Sequence, residues 1–119
     1  MRCVVIDDEP AGIRILKLYI ERLPNLELVG TATDALIGIE LVQKEKPDVV
    51  FLDIEMGEMN GLDVMKMVPD YTAIVFCSAY SENVFKNYEL KAVDWLTKPI
   101  EFDRFELAVK RVRDVLRDK

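Results

Sequence analysis

VVFLDIEMGEMNG, residues 49–61, joins an unbroken apolar run to an abrupt polar loop. Val49, Val50, Phe51 and Leu52 lack the polar alternation of a half-exposed strand, which predicts a strand buried on both faces. Asp53 follows at once, with Gly57, Asn60 and Gly61 close behind, so the strand must run into a loop. An acid at the carboxyl end of a buried parallel strand stands where open α/β sheets keep their ligands. If Asp53 is a reactive carboxylate, other polar groups should end their strands beside it.

Working outward, the same pattern recurs. Arg2–Ile6 (RCVVI) reads as a first strand and ends in Asp7, Asp8 and Glu9, before Pro10 opens a helix. Ile13, Leu16, Ile20 and Leu23 share one face of that helix, and Pro24-Asn25 closes it. Leu26–Ala32 predicts a second strand; Thr33 or Asp34 caps a helix whose Leu36, Ile39 and Val42 face inward as far as Pro47. Beyond Asp53, Leu62–Val68 predicts a short helix and Ala73–Cys77 a fourth strand, ending in Ser78-Ala79. Ser81–Leu90, with Val84, Phe85, Tyr88 and Leu90, is a weakly patterned helix. Val93–Thr97 is a fifth strand running into Lys98-Pro99, and Phe102, Phe105, Val109, Val112 and Leu116 mark the last helix.

Strands alternating with helices imply right-handed crossovers and a parallel sheet covered on both faces. The expected fold is α/β, doubly wound and flavodoxin-like, (βα)5 with strand order 2-1-3-4-5. In such a sheet Asp7, Asp8, Asp53, Ser78 and Lys98, each at the carboxyl end of a strand, converge on one crevice.

Composition removes other functions. The 119 residues, half of them apolar, suit one domain over 1–119. Cys3 and Cys77 lie in apolar runs without metal-binding spacing, as buried free thiols would. There is no histidine, so the chain cannot donate a phosphoryl group from its own imidazole or build a His-based triad. A net charge of -6 argues against direct contact with nucleic acid. No membrane-spanning run or signal-peptide pattern is present, which leads us to expect a cytoplasmic protein without membrane contact.

Carboxylates ~4 Å apart repel by ~4 kcal/mol at an effective dielectric near 20, so an acid cluster calls for protons or a cation. A Mg²⁺ site would resolve this through oxygen ligands, leaving Asp53 free to attack a phosphoryl group with Lys98 neutralising charge and Ser78 donating a hydrogen bond. Taken singly, the acids and Ser78 could be turn caps, Lys98 a surface charge and Trp95 core packing. Capping alone does not explain why acids end two strands while a hydroxyl and an ammonium end two others.

Asp7-Asp8, Asp53, Ser78-Ala79 and Lys98-Pro99, with LDIEM and MNGLD around the central acid, resemble the receiver domain of two-component response regulators. The resemblance implies that a sensor histidine kinase phosphorylates Asp53. It implies that Asp8, Asp53 and the Glu55 backbone carbonyl hold Mg²⁺, with Asp7 assisting through water. Lys98 would pair with the phosphoryl group, and Lys98-Pro99 would be a cis peptide. Ser78 and Ala79 would stabilise the phosphoryl group, and Trp95 would turn inward, altering the face made by the fourth helix, fifth strand and fifth helix. The charged face of the last helix could support a phosphorylation-dependent homodimer. Such a domain is a signalling phosphoacceptor rather than an enzyme, with at most self-phosphorylation from small donors and slow autodephosphorylation.

SAYSENVFKNYELKAVDWLTKP, residues 78–99, is similar to LytTR-type regulators, whose DNA-binding output domain would lie outside these residues. A stand-alone receiver is the alternative. A haloacid-dehalogenase-like phosphatase, with Asp53 and Glu55 in its two-residue spacing, is another. A nucleotide or flavin module is disfavoured by the carboxylates of DDEP. Three positions depart from the receiver pattern: Gly57 in place of proline, which should loosen the loop, Lys91 in place of glycine, and Trp95 in place of a smaller aromatic.

Overall fold

The computed structural model describes residues 1–57, 59–85 and 90–118. Strands β1 (Arg2–Ile6), β2 (Glu27–Ala32), β3 (Val49–Asp53), β4 (Ala73–Ser78) and β5 (Asp94–Thr97) form one sheet in the order β2-β1-β3-β4-β5. Every neighbouring pair is parallel. The α-helices among the described residues are α1 (Pro10–Glu21), α2 (Ala35–Glu45), α3 (Gly61–Met67) and α4 (Phe102–Arg117). This is the flavodoxin-like order expected from the sequence.

Local chemistry sets the helix ends. Pro10 occupies the first turn of α1, where its missing N–H is not needed. Asp34, one of the two expected caps, starts α2 by accepting from the Ile37 N–H at 3.0 Å, and α2 stops at Lys46, which takes a left-handed conformation just before Pro47. At α3, Asn60 accepts from the N–H groups of Leu62 and Asp63 while Asp63 accepts from the Asn60 N–H, a reciprocal capping box.

Strand periodicity divides the core into two halves. Val4, Ile6, Val50, Leu52, Ile74, Phe76 and Trp95 face α2 and α3; Cys3, Val5, Val49, Phe51, Val75, Cys77 and Leu96 face α1 and α4. Successive residues of β1, β3 and β4 therefore all enter a core, which is why these strands show no polar alternation. Cys3 and Cys77 are buried free thiols, and burial pushes the Cys3 thiol up to about 12, where it stays protonated.

Two expectations need correction. Leu36 is 59 % exposed: α2 turns Ala35, Gly38, Ile39 and Val42 inward, a stripe to which Leu36 does not belong although it lies three residues from Ile39. Where the helix over Ser81–Leu90 was expected, Glu82–Phe85 form a 3₁₀ turn, with the Val84 N–H bonded to the Ser81 carbonyl; residues 86–89, Tyr88 among them, lie outside the described residues. The expected last helix is consequently α4.

Candidate functional site

Register brings the polar strand ends together. Ile6 stands beside Leu52, Asp53 beside Cys77, and Ser78 beside Thr97, so β1, β3, β4 and β5 end at neighbouring points. Bonds beyond the strands continue the alignment: Asp7 N–H to the Ala32 carbonyl at 3.0 Å, Ile54 N–H to the Cys77 carbonyl at 3.1 Å, and Lys98 N–H to the Ser78 carbonyl at 2.7 Å. Carboxylate oxygens of Asp7, Asp8 and Asp53 lie within 4.8 Å of one another. Lys98 Nζ reaches both buried acids, at 3.0 Å from Asp7 Oδ2 and 3.5 Å from Asp53 Oδ1.

The turn reading of these acids is also realised. Asp7 accepts from the Glu9 N–H at 2.9 Å and Asp53 from the Glu55 N–H at 3.2 Å, each closing a turn two residues on. One carboxylate oxygen thereby shapes the loop while the cluster claims the rest. Gly12 makes room for this arrangement, because a Cβ there would collide with the Asp7 carboxylate.

Charge within the cluster is unbalanced. Burial, and then the neighbouring Asp7 charge, push Asp53 up to about 7, and the opposing attraction of Lys98 is too weak to reverse this. Burial works against the Lys98 charge as well, but its hydrogen bond to Asp7 and the fields of Asp53 and Asp7 outweigh it and hold the ammonium above its ordinary pKa. Among the described residues, one ammonium thus serves the three-acid cluster, through Asp7 and Asp53. The donors are hard oxygens without imidazole or thiolate, two of the acids are buried, and Asp53 resists ionisation through burial and the Asp7 charge. Such a set fits a small divalent cation such as Mg²⁺.

A second group of side chains adjoins the cluster. Glu55 carries its carboxylate onto Ser78 and Ala79, accepting from the Ser78 hydroxyl at 3.0 Å and from the Ala79 N–H at 2.9 Å. The Ser78 oxygen accepts in turn from the Tyr80 N–H at 3.0 Å, and the Tyr80 carbonyl accepts from Trp95 Nε1 at 3.0 Å. The receiver resemblance implies only a backbone role for Glu55, and no reading of the sequence anticipates this bond, which joins the loop after β3 to the end of β4, 23 residues on. Trp95 is already inward: 6 % exposed, it packs against Phe76 and Phe85 at centroid separations of 5.6 and 5.3 Å. Its bulk is no obstacle to burial.

Of the remaining expectations, the Lys98-Pro99 peptide is cis. Gly57 has φ +53, a conformation closed to proline, so glycine there meets a positive-φ turn rather than merely lacking a restraint. Lys91 is put to structural use, donating to the Val68 carbonyl at 2.9 Å and pairing with Asp70 at 2.6 Å.

The chain matches known proteins along nearly its whole length. It is 36% identical over 115 residues to the transcriptional regulatory protein BtsR of Escherichia coli K12, covering 95% of this chain and 48% of that protein. It is 34% identical over 118 residues to an uncharacterised response regulatory protein of Vibrio parahaemolyticus, covering 98% of this chain and 49% of that one. The chain thus spans about half the length of the curated relatives it matches. Among solved structures, the response regulator domain of Thermotoga maritima CheB superposes with a TM-score of 0.77 at 28% identity, covering 98% of this chain and 96% of that one. The response regulatory domain of Klebsiella pneumoniae MrkE superposes at 0.85 with 24% identity, each chain fully covered, a likeness of fold. The family model for the response regulator receiver domain matches residues 3–110, which sets the phosphatase and nucleotide-module alternatives aside: the chain belongs to the response regulator receiver domain family.

Proposed function

We propose that Asp53 accepts a phosphoryl group from the phosphohistidine of a sensor histidine kinase, and that the resulting change is passed to an output region of a longer protein. The observation that carries this reading is the convergence of Asp7, Asp8, Asp53 and Lys98 at the carboxyl edge of the central strands. Having no histidine, these 119 residues cannot supply the phosphohistidine themselves. An Asp53 carboxylate oxygen bonds to phosphorus as the phosphorus–nitrogen bond breaks, and the imidazole, already protonated on its other ring nitrogen, leaves neutral.

Asp8, Asp53 and the Glu55 carbonyl would hold Mg²⁺ directly and Asp7 through water, supplying positive charge that favours ionised Asp53 and offsets the phosphoryl oxygens. Lys98 exchanges part of its bond to Asp7 for a phosphoryl oxygen. Ser78 and the Ala79 N–H donate to the same group, which adds nearly two negative charges to the pocket. Tyr80 and Trp95 link that change to the surface formed by the 82–85 turn, β5 and α4, the face on which a homodimer would form.

Kinship with proteins named as transcriptional regulators supports an output in transcription control, and the likeness of residues 78–99 to LytTR-type regulators supports a DNA-binding domain of that type. The receiver itself, at net charge -6, leaves nucleic acid to that domain. No described helix is long and apolar enough to cross a membrane, in keeping with a cytoplasmic location. Turnover is confined to self-phosphorylation from small donors and slow loss of the phosphoryl group.

Incubation with acetyl phosphate and Mg²⁺, followed by intact mass, tests the reading. One phosphoryl group per chain is expected, absent in Asp53→Asn and reduced in Asp8→Ala, whose Mg²⁺ titration should also be weakened. A labelled Asp53→Asn protein overturns it.

A further inference from the structure

The Ser78 hydroxyl and the Ala79 N–H, the two donors assigned above to the phosphoryl oxygens, are not waiting for a ligand. Both are engaged by one carboxylate: Glu55 Oε1 lies 2.9 Å from the Ala79 nitrogen, and both Glu55 oxygens lie 3.0 Å from Ser78 Oγ. Ser78 is fully buried, so its hydroxyl has few alternatives to this bond. A carboxylate and a phosphoryl oxygen are both anionic acceptors, and charge-assisted bonds of this kind are the stronger ones. They cannot occupy the same two donors together, and their like charges repel at this range.

We infer that the Glu55 carboxylate is a resident anion in the phosphoryl cradle, a competitor that the phosphoryl group must displace from Ser78 and Ala79. While it stays, it also anchors the chain of bonds through the Tyr80 backbone to Trp95, holding the indole inward before any phosphoryl group arrives. Glu55 therefore sets how readily Asp53 is loaded and how far the switch segment is drawn in at rest. This rests on the reading of Asp53 as phosphoacceptor.

The test is titration with beryllofluoride, a small anion that mimics an aspartyl phosphate, at saturating Mg²⁺. Trp95 fluorescence and the amide resonance of Ala79 report the bound state. Wild type should bind, and Asp53→Asn should not. Glu55→Ala should bind at least tenfold more tightly than wild type. Glu55→Gln should gain less, because the amide keeps an acceptor oxygen for Ala79 but drops the charge. In the free protein, the Ala79 amide and the indole signal should shift in Glu55→Ala, as the bonds through Tyr80 lose their anchor. Binding that requires Asp53 yet is unchanged within twofold in both Glu55 variants overturns the inference and leaves the phosphoacceptor reading intact. Equal binding by Asp53→Asn and wild type overturns that reading instead. Should Glu55→Ala not fold, Glu55→Gln alone decides, since the same tightening is required of it in sign.

Discussion

Asp53 and Asp94 are both carboxylates with little exposure and cations within reach, yet their proton affinities move in opposite directions. Asp94, in β5, has 6 % of its side chain exposed; it receives Arg104 through bonds of 2.8 and 2.6 Å, Arg111 at 3.0 Å and the Trp95 N–H at 2.8 Å. Burial opposes its charge, but the Arg104 bonds, the Trp95 N–H and the Arg111 field outweigh burial and hold the carboxyl below its ordinary value. Asp53 shares one lysine with Asp7, and the same two effects leave it near 7. The difference lies in charge stoichiometry: two guanidiniums serve one acid at the β5–α4 contact, while one ammonium serves a three-acid cluster at the strand ends. The first is a finished structural clamp. The second leaves its acids short of positive charge, the imbalance that the proposed cation would offset.

Removing cations should expose this contrast most strongly. In metal-free protein at pH 8, Lys98→Ala leaves the buried acids without their ammonium and should cost about 3 kcal/mol in urea unfolding. Arg104→Ala leaves Arg111 on Asp94 and should cost about 1 kcal/mol. Equal losses would mean that Lys98 is as replaceable as Arg104. Removing the acids should then give opposite signs. Asp94→Asn strands two arginines and should destabilise by about 2 kcal/mol, whereas Asp53→Asn relieves repulsion and should stabilise the metal-free protein by about 2 kcal/mol. An Asp53→Asn protein weaker than wild type without Mg²⁺ would show that the cluster is already balanced.

Proton linkage gives a smaller effect. Between the ordinary 3.8 and the folded value of about 7, the folded chain holds a proton on Asp53 that the unfolded chain has lost, so stability falls as pH rises. From pH 6 to pH 8 the drop should be about 1 kcal/mol in chelator, and both Mg²⁺ and Asp53→Asn should flatten it. Asp94 behaves conversely: its lowered pKa contributes stability above the unfolded value, lost as pH falls through the folded one, well outside this window. A flat profile for metal-free wild type would remove the strain assigned to Asp53.

Much of this architecture was written in short, local patterns. Apolar runs ending in Asp7, Asp53, Ser78 and Lys98 carried both the strand order and the polar edge, because strand ends in a parallel sheet meet wherever the loops go. Contacts between two loops were not legible in this way: Glu55 meets Ser78 only through the path of the turn after β3, with Gly57 at φ +53. Nor was the exposure of Leu36, since a three-residue spacing fits either edge of a helical stripe. Arg104 and Arg111, seven apart on α4, could have been read as sharing a face, but their common target Asp94 lies across the turn after β5. What escaped was chiefly side-chain pairing across loops, which pattern does not encode.

The smallest effect bears on the clamp itself. Arg111 adds one bond to Asp94 from a side chain 49 % exposed, whereas Arg104 makes two shorter bonds to Asp94 and a third to the Trp95 carbonyl at 3.0 Å. A half-exposed guanidinium is screened and retains entropy that fixing it would cost, so Arg111→Ala should lose only about 0.5 kcal/mol, and less in high salt. Urea midpoints at low and high salt measure this, with Arg104→Ala as the reference. Because Arg111 is engaged within its own chain, the same substitution also asks whether α4 offers it to a second copy. A wild-type dimer that weakens in Arg111→Ala, with the monomer's stability barely changed, would make this arginine an interface residue. A loss as large as that of Arg104→Ala would instead mean that the two arginines are not redundant, and that the contrast with the single-lysine cluster rests on burial rather than on the number of cations.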